Sequence, residues 1–250
     1  AINQGLAYVT DDGNAVIKVD DQTHIPGGWD FTNRQSVRIT TTDTYPLNGL
    51  IIIDLVHIPY GCSVWPSFWS FGPSAGEWPA GGEIDIIEGV NLVFNEAGGG
   101  VFALQMAQSG FYMWFWSVRD AVAQRNDIPH SISGANSQST MDTTKDWGRP
   151  SASFPASGCN DSLWQFFAPQ QLVLDITLCG NWAGLPAVYG ATCTNQYACL
   201  TDNVVGDGAN YADAYFEIRT RAFIDSFAHL YTADLGVVLE DQYRWNVIVL

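Results

Sequence analysis

The sequence has 250 residues, of which 26 are acidic and 10 are basic, so its net charge is -16 at neutral pH. A chain of this length can form one large β-domain, and we expect a single domain. Because an acidic surface repels phosphate backbones and anionic lipid headgroups, we expect neither nucleic acid nor a membrane as a partner. A neutral glycan is compatible with this charge.

Aromatic residues make up 13% of the sequence, and ten of the residues are Trp. Sugar rings stack well on indole faces, whereas Trp also suits the core of a large sandwich. We assign roughly half of the Trp residues to each role. The abundance of Trp therefore favours a glycan ligand and leaves a structural explanation open.

Strand-like segments separated by Gly, Pro, Asp and Asn dominate the chain, and no long stretch repeats apolar residues at helical spacing. The sequence contains no internal repeats and no low-complexity linkers. This pattern predicts an all-β sandwich or barrel. In chain order, the predicted strands are Leu6–Val9, Ala15–Val19, Ser36–Thr41, Gly49–Ile58, Glu83–Glu88, Val101–Gln105, Tyr112–Val118, Leu172–Leu178 and Tyr215–Arg219.

Two of these segments also indicate their surroundings. Gly49–Val56 is almost continuously apolar, which predicts an interior strand buried on both faces. Tyr112–Trp116 has large side chains at every position, so we expect one face in the core and the other in a cleft or a second layer. From Thr220 the composition changes, and Arg221–Leu230 has a weakly helical spacing.

The segment Gly81–Gly89 contains three acids, Glu83, Asp85 and Glu88, which are separated by Ile residues. Side chains alternate along a strand, so Glu83 and Asp85 share one face and the intervening Ile side chains point into the core. Strict alternation would then point Glu88 into the core as well. We therefore predict a β-bulge at Ile86 and Ile87 that returns Glu88 to the face of the other acids.

Clustered carboxylates of this kind suit glycoside hydrolysis, in which one carboxylate attacks the anomeric carbon and a protonated carboxyl group donates to the leaving oxygen. We assign Glu83 as the nucleophile, Glu88 as the acid/base and Asp85 as an electrostatic assistant that separates their pKa values. The alternatives are a solvated acidic strand face and a Ca²⁺ site. Calcium loops are typically rich in Gly and Asn, whereas these acids lie among Ile, so we favour catalysis and expect no metal or cofactor.

Two Trp-rich stretches precede the acids. Trp65–Trp69 and Glu77–Pro79 have loop-like compositions, and we expect Trp65, Trp69 and Trp78 to line a cleft. Other chemistry is weakly indicated. The four His residues lie in no nucleophile-elbow context, and no G-x-S-x-G motif occurs.

Five Cys residues, without a C-x-x-C pair or a Cys/His cluster, indicate an oxidising compartment rather than a metal site. Cys193 can close a small loop with Cys199. Cys159 can pair with Cys179, although sequence does not determine connectivity. The sequon Asn160–Ser162 fits a secreted glycoprotein. No signal peptide opens the sequence, so we expect a mature form or a sequence that lacks its start.

The segment 82–88 resembles the E-[ILV]-D-x-x-E signature of glycoside hydrolase family 16, and its context is similar to the fungal laminarinases of that family. The resemblance implies a concanavalin-like β-jelly-roll sandwich that cleaves β-1,3 or mixed β-1,3/1,4 glucans with retention. A β-glucan is then the expected partner. The resemblance extends through Asn33–Ile39, His57–Trp69, Trp78–Asn91, Gly98–Ala103, Trp147–Pro155, Cys179–Gly184 and Ala214–Ile218.

The same resemblance implies roles for individual residues. It makes Glu83 the nucleophile, Asp85 the assistant and Glu88 the acid/base. It also matches Trp69, Trp78 and Trp182 to positions that line sugar subsites.

Three departures from the family pattern are expected to leave the jelly roll incomplete. Compared with the family pattern, we expect three parts to be missing: an initial segment, a stretch between Asn91 and Gly98 that in the family carries a cleft strand and several Cys, and a final strand after about Ile218. The loss of Cys partners makes Cys62 the expected unpaired thiol.

Together these observations predict a secreted, monomeric endo-β-glucanase, with residues 1–219 as the catalytic domain and 220–250 as a C-terminal tail of undetermined structure. Two alternatives stay open. One is a catalytically silent β-glucan-binding jelly roll, and the other is a truncated product without activity. The retained carboxylates favour the enzyme over the binding module, because binding alone requires neither a nucleophile nor an acid.

Overall fold

Two antiparallel β-sheets pack face to face in the computed structural model of this protein. The predicted all-β sandwich is therefore confirmed. The structure describes residues 1–27, 33–76, 78–89, 92–118, 147–159, 163–193, 199–219, 223–226, 229–231 and 245–249. For positions 75, 164, 192 and 202, and for the last three ranges, it describes the backbone alone.

Within the ranges that the structure describes, fourteen strands form the two sheets. In chain order they are β1 (Ala7–Val9), β2 (Ala15–Lys18), β3 (Val37–Thr41), β4 (Gly49–His57), β5 (Val64–Phe71), β6 (Glu83–Glu88), β7 (Gly100–Ala107), β8 (Gly110–Ser117), β9 (Ala152–Pro155), β10 (Gln171–Leu178), β11 (Tyr215–Ile218), β12 (Phe223–Ser226), β13 (His229–Tyr231) and β14 (Trp245–Val249). The larger sheet runs β1-β2-β11-β4-β7-β8-β9, with β12 paired to β4 and to β13. The smaller sheet runs β14-β3-β10-β5-β6.

Helical segments are short in the described part of the chain. The two α-helices are α1 (Leu92–Glu96) and α2 (Pro186–Thr192). A π-helical turn spans Leu200–Val204. Turns of 3₁₀ helix lie at Ile2–Gln4, Pro73–Ala75, Ala156–Gly158, Leu163–Gln165 and Gly208–Tyr211.

The hydrophobic core lies between the sheets and follows the period-2 pattern of the strands. Leu172, Leu174 and Ile176 of β10 are buried in it, together with Ile51 and Ile53 of β4. Because alternate side chains of a strand point to opposite faces, each sheet turns one face to this core and the other face outward.

Strand β4 is buried on both faces, as its continuous apolar sequence predicts. Its outward residues Leu50 and Ile52 join a second buried cluster with Trp114 and Trp147. The rings of Trp114 and Trp147 meet edge to face with centroids 5.3 Å apart. The aromatic outward face of β8 is therefore a second apolar layer and not a cleft.

All nine predicted strands are confirmed, with ends that differ by no more than two residues. The loop-like interpretation of Trp65–Trp69 is wrong, because these residues lie within β5. A proline is rare inside an interior strand, and Pro66 is tolerated here for a specific reason. The backbone O of Pro66 accepts a hydrogen bond from the N–H of Gly89 at 3.1 Å. The N and O of a strand residue face the same neighbour, so the missing N–H faces a position just beyond the end of β6. The proline therefore removes no bond to β10.

The chain beyond residue 219 adds strands to both sheets. β12 pairs with β4 and β13 pairs with β12, while β14 pairs with β3 at the edge of the smaller sheet. The helical interpretation of Arg221–Leu230 is wrong, because Phe223–Ser226 and His229–Tyr231 are extended. Pairing with β4 stabilises extended backbone there, whatever the local spacing favours.

Two disulfide bonds join Cys62 to Cys193 and Cys179 to Cys199. Cys159 is free and exposed. The expected pairs Cys193–Cys199 and Cys159–Cys179 are therefore wrong. The expectation that Cys62 is unpaired is also wrong. The predicted sequon at 160–162 lies outside the described residues.

Tertiary structure explains this connectivity. The backbone N–H of Cys179 donates to the O of Ser63 at 2.7 Å, so the end of β10 lies beside the turn that precedes β5. Tyr189 of α2 and Val204 pack at this end of β10 in one buried cluster with Cys179 and Cys199. Cysteines far apart in sequence meet there, and the two bonds anchor the loop that follows β10.

Candidate active site

Strand β6 carries its three acids on one face. The register with β5 places Glu83 opposite Phe71, Asp85 opposite Trp69 and Glu88 opposite Ser67. The register shifts after Asp85, so Ile86 is the extra residue of β6 and the predicted bulge is confirmed. Ile87 is buried while Ile86 is only half-buried against the core. The bulge thus returns Glu88 to the face of the other two acids.

Strand β5 alternates strictly between core and outward side chains. Its half-buried outward residues stand beside the acids of β6 on the face of the smaller sheet directed away from the core. We call this surface the carboxylate face. It comprises Trp65, Ser67, Trp69 and Phe71 of β5 with Glu83, Asp85 and Glu88 of β6.

Trp78 lies at the Glu83 end of the carboxylate face. Its indole N–H donates a hydrogen bond to Oε2 of Glu83. Since 61% of its surface is exposed, Trp78 presents a broad apolar ring to solvent directly beside the Glu83 carboxylate.

A pair of indoles lies at the Glu88 end. The N–H of Trp65 donates to Oε1 of Glu88 at 3.3 Å. The ring of Trp182 stacks on Trp65, with centroids 6.2 Å apart and an interplanar angle of 15°. Trp182 is 60% exposed and belongs to the loop that the two disulfides anchor.

The structure brings together the seven residues that the sequence predicts for the site. Trp78 marks one end of the acid row, Trp65 and Trp182 mark the other, and Trp69 stands opposite the central acid. Apolar rings therefore accompany the acids along the whole of β6.

The central acid has a perturbed proton affinity. Partial burial, together with the charges of Glu83 and Glu88 on either side, raises the pKa of the Asp85 carboxyl to about 6. Protonated Asp85 can donate a hydrogen bond to a neighbouring carboxylate, and ionised Asp85 adds a third negative charge to the row.

Two glycines let the chain cross itself immediately before β6. A Cβ on Gly81 would lie 2.0 Å from the backbone O of Gly72. The fully buried Gln170 secures this crossing, because its Nε2 donates to the O of Gly81 at 3.1 Å and its Oε1 accepts from Ser70 at 3.0 Å. The crossing fixes the point at which β6 begins. It therefore also fixes the position of Glu83, the first residue of that strand.

Sequence reasoning missed Arg38 and Asp175. Asp175 lies opposite Arg38 and Ser67 in the smaller sheet and is 5% exposed. The indole N–H of Trp69 donates to its Oδ1 at 3.4 Å, and the Arg38 guanidinium lies 5.1 Å from the centroid of the same indole. The available signal was a lone acid in the apolar run Leu172–Leu178, since a charge in such a run is unfavourable without a partner.

Burial raises the pKa of the Asp175 carboxyl to about 6, against the opposing effects of the Arg38 charge and the Trp69 hydrogen bond. In the unfolded chain this carboxyl has a pKa of about 4. The unfolded state therefore ionises first as pH rises. The stability contributed by protonated Asp175 is present below about pH 4 and is lost by about pH 6.

This linkage predicts an effect of Asp175→Asn, a substitution that removes the titration. The unfolding free energy of the wild type, relative to that of the variant, should fall by up to about 3 kcal/mol as pH rises from about 3 to about 7. Urea denaturation of both proteins across this interval measures the difference. A difference that stays constant with pH would contradict the prediction.

Two further observations concern the described residues as a whole. No group of three His, Cys, Asp or Glu side chains among them is arranged to bind a metal ion, and the acids of β6 form no such group. No helix in the same part of the chain is long and apolar enough to span a membrane.

Comparison with protein families identifies the class of this fold and site. A family model described as "XgeA-like, catalytic GH16 domain" matches residues 1–94 and 92–222. The chain belongs to glycoside hydrolase family 16. The matched residues include β5, β6 and β10, and therefore the carboxylate face.

Individual relatives are fungal proteins. The chain is 28% identical to a probable glycosidase of Schizosaccharomyces pombe, with 84% of this chain and 57% of the relative covered. It is 31% identical to a probable endo-1,3(4)-beta-glucanase of Aspergillus flavus, with 88% of this chain and 38% of the relative covered. The chain thus spans between about two fifths and three fifths of the length of these curated relatives.

Solved structures of the family share the fold. Laminarinase 16A from Phanerochaete chrysosporium, with 6-O-glucosyl-laminaritriose in donor and acceptor sites, matches with a TM-score of 0.74 and 26% identity over 90% of this chain and 86% of that chain. An elongating GH family 16 β-1,3-glucosyltransferase matches with a TM-score of 0.70 and 30% identity over 87% and 85%. The predicted β-jelly-roll sandwich is confirmed.

The relatives carry residues that this chain lacks. The alignment with the Aspergillus flavus protein has 278 positions, although it covers only 88% of a 250-residue chain. The family model matches in two pieces that meet at residues 92–94, where α1 follows β6. This break agrees with the shortening expected between Asn91 and Gly98.

Proposed function

We propose that this chain is an endo-acting glycoside hydrolase that cleaves β-1,3 or mixed β-1,3/1,4 glucans with retention of anomeric configuration. The observation that carries the proposal is the row of three acids on the carboxylate face, with exposed indoles at both ends. Membership of glycoside hydrolase family 16 supports the assignment.

In the first step, Glu83 acts as the nucleophile. Its carboxylate attacks the anomeric carbon, the glycosidic C–O bond breaks, and the proton of Glu88 passes to the leaving oxygen. Retaining glycosidases hold the two carboxyl groups about 5 to 5.5 Å apart. Glu83 and Glu88 are long side chains on one face of one twisted strand, and they can lean toward each other across Asp85.

In the second step, water replaces the departed sugar. Glu88 accepts a proton from the water, whose oxygen attacks the anomeric carbon of the glycosyl-enzyme ester and releases Glu83 as a carboxylate. The indole N–H of Trp78 donates a hydrogen bond to the Glu83 carboxylate and helps to hold it in position. Asp85, whose pKa is raised to about 6, lies between the two reacting acids and can donate a hydrogen bond to a neighbouring carboxylate while it is protonated.

The distribution of Trp supports a polymeric substrate that extends beyond the acids in both directions. Trp78 offers a stacking surface on the Glu83 side, and the Trp65–Trp182 pair offers one on the Glu88 side. Internal cleavage requires sugar subsites on both sides of the bond that breaks. Fungal relatives that bear the name endo-1,3(4)-beta-glucanase support the same substrate class.

The proposal also covers the setting of the enzyme. We infer secretion from the two disulfides, which persist in oxidising compartments. Residues 1–219 are proposed as the catalytic domain, acting as a monomer, to which β12, β13 and β14 add sheet strands.

Product stereochemistry tests the mechanism. Proton NMR at early times of hydrolysis of a linear β-1,3-glucan should show the β-anomer of the new reducing end first, because two inversions give net retention. A mixed-linkage glucan serves as the parallel substrate. Early formation of the α-anomer would exclude Glu83 as the nucleophile, and absence of turnover on both glucans would contradict the proposed activity.

A further inference from the structure

Asp175 differs from the three acids of β6 because its side chain is nearly buried. Burial of an ionised carboxylate is unfavourable unless hydrogen bonds and opposite charge replace the lost water. The compensating groups in the described part of the chain are the indole N–H of Trp69 and the positive charge of Arg38. Both groups involve the indole of Trp69, since one is its own N–H and the other is a guanidinium that lies over its ring.

The ring of Trp69 is held from three directions. Asp175 accepts its N–H at 3.4 Å, the Arg38 guanidinium covers the ring at 5.1 Å from the centroid, and Phe71 packs at a tilt with centroids 5.6 Å apart. Hydrogen bonding fixes rotation in the plane of the ring, which packing against flat or mobile groups does not. Trp69 stands directly opposite Asp85, so the orientation of its ring determines the surface next to the central acid.

We propose that Asp175 is a positioning residue, whose carboxylate orients the indole of Trp69 for contact with a glucan unit beside Asp85. The inference rests on the proposed function, because the sugar is the one that the carboxylate face would bind. Asp175 lies two strands away from β6, or roughly 10 Å, so it acts through Trp69 and not on the reacting atoms. Its loss should therefore weaken substrate binding more than bond cleavage.

Three substitutions separate this role from a general contribution to folding. Asp175→Leu keeps the approximate size of the side chain and removes the acceptor. Asp175→Asn keeps an acceptor oxygen at the same position. Trp69→Phe keeps a flat ring and removes the donor, so it cancels the hydrogen bond from the other side.

Steady-state kinetics on a linear β-1,3-glucan give the first readout. At a pH above about 6, where Asp175 is ionised and its hydrogen bond is charge-assisted, Asp175→Leu should raise KM roughly tenfold, with kcat changed less than about twofold. Asp175→Asn should restore KM to within about threefold of the wild type. In the Trp69→Phe background, Asp175→Leu should change KM no further, because the bond is already absent. An unchanged KM in Asp175→Leu, or additive effects in the double variant, would overturn the proposal.

A spectroscopic readout needs no activity. In protein labelled with ¹⁵N-Trp, the indole resonance of Trp69 is identified by its loss in Trp69→Phe. It should move upfield in Asp175→Leu and stay near its wild-type position in Asp175→Asn at low pH. Its shift with pH should be much smaller in Asp175→Asn than in the wild type, and the part that remains in Asp175→Asn should vanish when Asp85→Asn is added, because Asp85 is the other titrating acid beside this ring. The titration comparison decides the matter even where Asp175→Leu does not fold. If the indole resonance of Trp69 is the same in the wild type and in the Asp175 variants, the positioning role is overturned. If the resonance depends on Asp175 as expected but the wild type does not hydrolyse glucan, only the proposed function is refuted.

Discussion

Glu83→Ala should lower the turnover of a linear β-1,3-glucan by at least about a thousandfold, because no other group can form the glycosyl-enzyme ester. Glu88→Ala should cause a loss of similar size on the natural polymer, whose leaving oxygen needs a proton. Reducing-end release measures both effects. Asp85→Asn serves as the graded comparison, since it removes the central charge but neither reacting group.

Azide rescue separates the two roles. With an activated aryl β-glycoside of laminaribiose, azide can attack the anomeric carbon directly in Glu83→Ala and give the α-glycosyl azide. In Glu88→Ala the ester still forms through Glu83, so azide attack on the ester gives the β-glycosyl azide. The opposite assignment of products would exchange the nucleophile and the acid/base. Full activity in either variant would refute the mechanism.

Gly81→Ala should destabilise the fold by about 3 kcal/mol or more, because a methyl group would lie 2.0 Å from the backbone O of Gly72. Backbone on both sides of the crossing leaves no flexible side chain to move aside. The start of β6 would shift, and glucan turnover should fall with stability because Glu83 begins that strand. Urea denaturation and turnover below the unfolding transition measure the two effects.

Gly158→Ala is the matched control. Its Cβ would have no atom within 4 Å, and its backbone does not adopt a positive φ. We therefore expect a change in unfolding free energy within about 0.5 kcal/mol. Equal effects of the two substitutions would show that the Gly72–Gly81 crossing is not a tight contact.

The elements that the sequence predicts best are those with local causes. Alternation of acids and Ile along one strand is enough to place the acids on one face and to require a bulge at Ile86. Tryptophans close to this strand in sequence, such as Trp78, are also close in space. The carboxylate face was therefore largely predictable before the fold was known.

What the sequence does not predict depends on contacts between distant segments. Trp69 and Asp175 are 106 residues apart, and only the pairing of β5 with β10 brings them together. The disulfides likewise follow from the way the loop after β10 folds back over the turn before β5. Pro66 makes β5 hard to predict, because the sequence does not show that the position of the missing N–H of Pro66 faces the end of a neighbouring strand.

The bulge at Ile86 gives the spacing of the acids a further meaning. Glu83 and Asp85 occupy odd positions and Glu88 an even one, yet all three share a face. A regular pleat preserves parity, so a change of parity among residues of one face records an odd number of inserted residues. Straightening the strand with Ile86 still in place would turn the carboxylate of Glu88 into the apolar interior, whereas deleting Ile86 would give a regular pleat that keeps Glu88 on the face of the other two acids. The spacing of the three acids in the sequence therefore already indicates a bulge between Asp85 and Glu88.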